Sequence, residues 1–410
     1  MRIRSAARAR WRQVPVGMRD QTAEEVAARR RLERRLLEVF QQWGYEEVAT
    51  PTLEYLDTLL HGAGPGVSDR LLKFVDTGGE VLALRPEMTV PLARFAATRL
   101  LPAGRRPLRL AYASTVFRAQ ERGSGRPREF TQAGVELIGD GGVHADVEVI
   151  ALAGEALGAA GVRGAAMSLG HAGFLRGVLA TLAADEADAA RDLLYRRAFA
   201  ELGRVVPAGP ALDVLRLLPA LRGPDALDRA RPLAVARESR EALDVLAAVL
   251  DGVAAHDLPV RIEVDLGLIR DFDYYSGVVF EAYGARAGMA LLGGGRYDDL
   301  LARFGQPAPA TGFAIGVEPV LDAAVPQDGP RRPIAVFFAK GNYAAAVPVA
   351  ARLRRSGFAA VLWPAGAAGG EVAGAVCVTR DGLLVRVGER EVPASLADVA
   401  EVVSTGVGRA

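Results

Sequence analysis

RLAYASTVFRAQERGSGRPREFTQAGVELIGD, Arg109 to Asp140, sets two apolar-rich runs around a polar, glycine-rich stretch. RLAYASTVFRAQ and REFTQAGVELIGD read as strands, and ERGSGRP reads as their connection. A long hairpin is therefore expected, with a strand on each side of a glycine-rich tip.

Upstream, Thr22 and Glu25 make a capping box. An arginine-rich amphipathic helix follows through Val26, Leu32, Leu36 and Phe40, and Gly44 ends it. YEEVATPTLEYL reads as an extended segment broken by Pro51. VLALRPEMTVPLAR reads as a short strand, a turn at Pro86 and a helix start. Downstream, from about His171 to His256, leucine and alanine recur at helical spacing, interrupted by PAGP and RGPD. A helical insertion is expected there. Strand signals return in VRIEVDLGLIRDFDYYSGVVFEAYGA and GMALLGGGRYDDLL. In GFAIGVEPVL, Gly312 and Gly316 mark a buried strand that something approaches closely, and Pro319 suits the first position of the helix that follows. QDGPRRP reads as a linker, followed by a small αβ unit containing IAVFFA, AAVLWP and AVCVT. The expected organisation is a core over 1–326, a linker over 327–333 and an αβ unit over 334–410.

The bulk properties narrow the function classes. The chain has 410 residues and is 50% hydrophobic, which implies two or three domains. No apolar run reaches bilayer length, so no membrane partner is expected. The stretch MRIRSAARARWRQ lacks the apolar centre of a signal peptide. Its arginines leave open a transit peptide or a nucleic-acid arm, beside a frayed terminus. One cysteine, Cys377, excludes an internal disulfide and a multi-cysteine metal site, and its setting AGAVCVT is that of a packed thiol. His61, His144, His171 and His256 show no metal-ligand spacing, so no metal or cofactor is expected. A net charge of +1 gives no footprint of non-specific nucleic-acid binding.

Three segments, VFRAQERGSGRPREFTQAGVE (Val116 to Glu136), IRDFDYYSGVVFE (Ile269 to Glu281) and GGGRYDDLL (Gly293 to Leu301), resemble histidyl-tRNA synthetase, a class II aminoacyl-tRNA synthetase. LRPEMT (Leu84 to Thr89) and GFAIGVEP also match in place. The resemblance implies an α+β fold: a class II synthetase-like antiparallel sheet flanked by helices, with a helical insertion and a C-terminal unit like a reduced anticodon-binding domain. It also implies a homodimer core built on the first helix and the segment around Pro51.

Adenylation holds two repelling anions in line, so it needs fixed cations and oriented donors. By resemblance, Arg118 is the hairpin arginine of that machinery. Gln120 stands where a glutamate contacts adenine, and the neighbouring Glu121 points to the opposite face of a strand. Pro319 stands where the last strand supplies a second arginine, and proline carries no charge. Arg270 matches an arginine near the reacting carboxylate, but Asp271 follows it and can neutralise it. The amino-acid pocket keeps its pattern: Glu87, Thr89 and Gln132 for the α-amino group, Glu136 and Tyr275 for the imidazole, and Tyr297 as a wall. The glycines Gly293 to Gly295 suit either a phosphate cradle or close strand packing.

A synthetase core with this pocket, two changed ATP positions and a reduced tail resembles a paralogous family, the regulatory subunits of ATP phosphoribosyltransferase. The resemblance implies a non-catalytic cytoplasmic protein that partners a short-form catalytic subunit in a hetero-oligomer and takes L-histidine as effector. tRNA is not expected as a partner. An active histidine–tRNA ligase is the alternative reading. A third is a synthetase-like enzyme that loads another amino acid on a non-tRNA carrier.

Overall fold

The computed structural model describes residues 10–63, 65–120, 126–269, 274–285, 288–325, 332–339, 341–366, 372–379, 382–387 and 390–407. The chain divides into two units, Met1–Val325 and Pro326–Ala410. The first runs α1 (Ala23–Gln42), β1 (Glu46–Glu47), β2 (Leu53–Tyr55), α2 (Leu56–Ala63), β3 (Lys73–Val75), β4 (Val81–Leu84), α3 (Thr89–Phe95), β5 (Leu108–Phe117), β6 (Glu129–Ile138) and α4 (Val143–Ala159). It continues with β7 (Ala166–His171), α5 (Ala172–Leu179), α6 (Ala184–Tyr195), α7 (Pro210–Leu217), α8 (Ala226–Ala230), α9 (Arg237–Ala254), β8 (Arg261–Val264), β9 (Val278–Tyr283), β10 (Leu292–Arg296), α10 (Leu300–Arg303), β11 (Ala310–Gly316) and α11 (Val317–Ala323).

The expected hairpin is β5 and β6, paired antiparallel from Leu108↔Ile138 to Phe117↔Glu129. It lies within an eight-stranded sheet of order β1-β5-β6-β11-β10-β9-β7-β8. The six inner strands are antiparallel, and each edge carries one short parallel strand. The fold is thus the α+β, class II synthetase-like arrangement. One sheet face packs on α1 and α4 through residues such as Leu36, Phe40, Val135, Val149, Leu152 and Phe313, all buried. Alternation along each strand then turns the intervening residues to the other face.

Local signals explain the boundaries. Thr22 accepts from the Glu25 N–H while Glu25 accepts from the Thr22 N–H, closing the capping box. Gly44 leaves α1 at φ +81°, a conformation glycine adopts without a Cβ clash. The insertion between β7 and β8 is helical throughout its longer elements. His171 belongs to the end of β7, where its Nδ1 accepts the Gly173 N–H and caps α5.

A three-stranded sheet of order β2-β4-β3 leads into the turn before α3. Buried Arg85 ties that turn down, donating to the carbonyls of Thr115 (2.9 Å) and Thr50 (2.8 Å).

The second unit holds β12 (Ile334–Phe338), α12 (Tyr343–Arg355), β13 (Ala360–Pro364), β14 (Gly374–Val378), β15 (Leu383–Val387), β16 (Arg390–Ala394) and α13 (Val399–Val407). Its sheet has order β13-β12-β14-β15-β16, parallel in the first three strands and antiparallel beyond. Cys377 is a half-buried residue of β14. Residues 327–331 of the expected linker lie outside the described residues.

Candidate functional site

The face of the sheet turned away from α1 carries an unusual register of small side chains. Gly312, Ala314 and Gly316 of β11 lie opposite Glu136, Gly134 and Gln132 of β6, and Gly293 of β10 lies opposite Ala314. With no side chain larger than a methyl on this face of β11, that strand becomes the floor of a cavity of about 530 Å³. That size falls within the range of small-molecule sites, about 300–1,000 Å³. Two glycines are required by their neighbours. A Cβ at Gly312 would lie 1.9 Å from a Glu136 carboxylate oxygen, and one at Gly134 would lie 2.6 Å from the Tyr112 hydroxyl. Close packing is also the reason for Gly294, whose Cβ would meet the Gly312 carbonyl at 2.3 Å.

The cavity gathers residues far apart in sequence. Glu87, Thr89, Arg118, Gln120, Gln132, Tyr275, Tyr297 and Pro319 all line it. Glu136 sits just behind the lining, 1% exposed. It accepts hydrogen bonds from the hydroxyls of Thr89 (2.8 Å) and Tyr297. Those hydroxyls therefore stand between Glu136 and the cavity, a layer the sequence did not disclose. Arg270, with Asp271, lies outside the described residues, as does Glu121.

The inner end of the cavity gathers buried acids and acceptors. Burial pushes the Glu136 carboxyl up to about 8, against the pull of its two hydroxyl donors. Burial also raises Glu87, whose carboxylate accepts the N–H groups of Thr89 and Val90 (2.9 Å) at the start of α3. The neighbouring Arg118 pulls Glu87 the other way. Gln132 is 9% exposed, and its Oε1 has no donor among the described residues. An unmet buried acceptor is costly, typically about 1–3 kcal/mol. A ligand N–H would remove that penalty. Tyr274, Tyr275 and Tyr297 cluster around this end, Tyr275 tilted against Tyr274 at 4.9 Å and Tyr297 edge to face with it at 5.7 Å between centroids. Such rings give a ligand an apolar wall with polar tips.

The outer end is different. Arg118 donates through Nε to the Pro86 carbonyl (2.8 Å), and its guanidinium lies 5.1 Å over the Phe130 ring. It fastens the turn that carries Glu87 and Thr89. The end of β11 presents Glu318 and Pro319 rather than a cation, and Glu318 accepts the Thr131 N–H at 2.9 Å. Pro319 is the third residue of α11 and not the first, because the helix begins at Val317. A proline there is tolerated because the first helical N–H groups have no intrahelical acceptor to lose.

Residues that sequence reasoning passed over also line the cavity. Tyr112 faces it from β5, Glu281 and Tyr283 from β9, and Leu194, Tyr195, Arg197 and Phe199 from the helical insertion. Alternation along β5 and β9 carried a signal for the first three. Nothing in the local sequence of the insertion showed that it reaches the sheet. Beneath the site, buried Arg296 holds Asp146 through Nε at 3.0 Å to both oxygens, and reaches Asp298 at 3.1 Å. This fixes the strand end that carries Tyr297. Among the described residues no cluster of side chains could hold a metal ion, and no helix is long and apolar enough to cross a membrane.

The fold is that of the class II synthetases, and a family profile described as histidyl-tRNA synthetase matches residues 17–320. A histidyl-tRNA synthetase structure from Nostoc shares the fold at a TM-score of 0.79 with 18% identity, covering 96% of this chain and 99% of that one. Within that class, nearer relatives carry another name. An ATP phosphoribosyltransferase regulatory subunit of Moorella thermoacetica is 44% identical over 360 residues, 85% of this chain and 92% of the relative. One from Bacillus subtilis is 37% identical over 356 residues, 85% of this chain and 90% of the relative. A Bacillus halodurans crystal structure, described as an ATP phosphoribosyltransferase regulatory subunit/histidyl-tRNA synthetase, has 35% identity and a TM-score of 0.77, covering 87% of this chain and 94% of that one. The chain belongs to the ATP phosphoribosyltransferase regulatory subunit family.

Proposed function

We propose that this chain partners an ATP phosphoribosyltransferase catalytic subunit in the cytoplasm and senses L-histidine in the cavity on its sheet. The carrying observation is the contrast between the two ends of that cavity. The inner end keeps buried carboxylates, tyrosines and the unmet Gln132 acceptor, a set that suits an ammonium and an imidazole N–H. The outer end has Gln120, Glu318 and Pro319 where adenylation would need charge complementary to ATP.

Glu87, Thr89 and Gln132 take the α-amino group in this reading. Tyr275 and Tyr297 take the imidazole, with Glu136 fixing the Thr89 and Tyr297 hydroxyls from behind. Arg118, Gln120 and Arg270 are a disused ATP and carboxylate site. Histidine acts by linkage: it inhibits because it binds one state of the complex better than the other. The homodimer core uses α1 and the segment around Pro51.

The reading is tested by assaying a short catalytic subunit alone and with this chain. Activity that depends on the chain, and histidine inhibition that weakens in Glu87→Gln, is the expected result. A catalytic subunit equally active alone, with this chain forming histidyl-adenylate from ATP, would overturn it in favour of the ligase.

A further inference from the structure

We propose that Arg197, carried by the helical insertion into the lining of the cavity, takes the carboxylate of the bound amino acid. This rests on the reading that the cavity holds histidine. A zwitterion entering it meets the Glu87 carboxyl and the unmet Gln132 acceptor at the inner end, so its N–H groups face inward and its carboxylate faces out. At the outer end, the strand position that could have offered a cation is Pro319, beside the carboxylate of Glu318. Of the other arginines in the lining, Arg118 is committed to the Pro86 carbonyl and the Phe130 ring and Arg126 stands beside Gln120 and Pro127 at the hairpin; the insertion supplies Arg197, flanked by Tyr195 and Phe199.

The backbone at Arg197 points to a reason for the arginine beyond folding. α6 ends in two reversed hydrogen bonds, Arg197 N–H to the Leu194 carbonyl (3.0 Å) and Ala198 N–H to the Leu193 carbonyl (2.8 Å). That closure places Arg197 at φ 55°, the one non-glycine residue with positive φ among the described residues. Glycine is the residue this position normally takes, because any Cβ is strained there. An arginine is therefore kept at a position where glycine would be more stable. Its one structural use in view is electrostatic. Asp265 is raised by burial, and Arg197 pulls it down, but so does Arg222, 3.9 Å away. Asp265 thus keeps a cation if Arg197 is removed.

The test compares L-histidine with histamine, which lacks the carboxylate, by calorimetry on the full chain and on Arg197→Gly. In the unmodified chain histidine should bind well above histamine. In the variant, histidine should weaken about tenfold or more, the loss of one charge-assisted hydrogen bond. Histamine should be unchanged, and Tm should rise because glycine relieves the strained turn. Arg197→Lys should recover part of the preference. If the variant keeps the full preference for histidine, the assignment of Arg197 is wrong while the histidine reading stands. If neither ligand binds the unmodified chain, both fall.

Discussion

Glu136→Gln tests the electrostatics of the site without any assumption about its ligand. The Glu136 carboxyl is 1% exposed, and burial raises it to about 8, well above its ordinary 4.5. In the folded chain it therefore holds a proton through neutral pH, whereas in the unfolded chain it has lost it. The folded state binds the extra proton, so stability is full below about pH 4.5 and is lost as pH rises toward about 8. The slope for one proton is at most about 1.4 kcal/mol per pH unit. Across the window that accumulates to a ceiling of about 4–5 kcal/mol, which relaxation of the pocket lowers. Glutamine keeps the shape, and its amide can serve both neighbouring hydroxyls once one of them rotates. The assay is urea unfolding of both proteins from pH 5 to 8.5. The difference between them should be small at pH 5, should grow in favour of the variant between about pH 5 and 8, and should level off above. Parallel curves would refute the reasoning, because they would mean an ionised Glu136 with a counter-charge in the pocket.

The remaining expectations concern the floor, the foundation and the lost chemistry. Gly312→Ala puts a Cβ 1.9 Å from the Glu136 carboxylate and 2.4 Å from the Val135 carbonyl. It should cost about 1–3 kcal/mol or more in urea unfolding and abolish histidine binding in calorimetry. Asp146→Ala strands Arg296 in the protein interior, and breaking such a pair costs about 3–5 kcal/mol. Asp298 and two backbone carbonyls remain near Arg296, so the lower end is expected. Histidine-dependent ATP–pyrophosphate exchange by the purified chain should be absent. Robust exchange would restore the ligase reading and require another group in place of the arginine missing at Pro319.

Much of this was legible along the chain because it depends on local physics. The capping box at Thr22, the glycine after α1, the β5–β6 hairpin and the strand-to-helix passage at Gly316 each follow from a few adjacent residues. Resemblance to histidyl-tRNA synthetase pointed to one amino-acid site, and Glu87, Thr89, Gln132, Tyr275 and Tyr297 do line one cavity. The first position expected for Pro319 was two residues out, since a boundary depends on which carbonyls the strand leaves free.

What the sequence by itself determined is the type and order of the elements and the inventory of polar groups, because periodicity, caps and turns act over a few residues. Tertiary structure alone decided three things. It placed Glu136 behind the Thr89 and Tyr297 hydroxyls, which makes its carboxyl a buried acid rather than an exposed contact. It set Gly312 and Gly134 against bulky partners on neighbouring strands, so that the floor is bare. It also brought Arg197 of the insertion to a cavity formed by strands far away in the chain. Burial, charge proximity and space depend on which distant segments meet, and no short stretch of sequence contains that information.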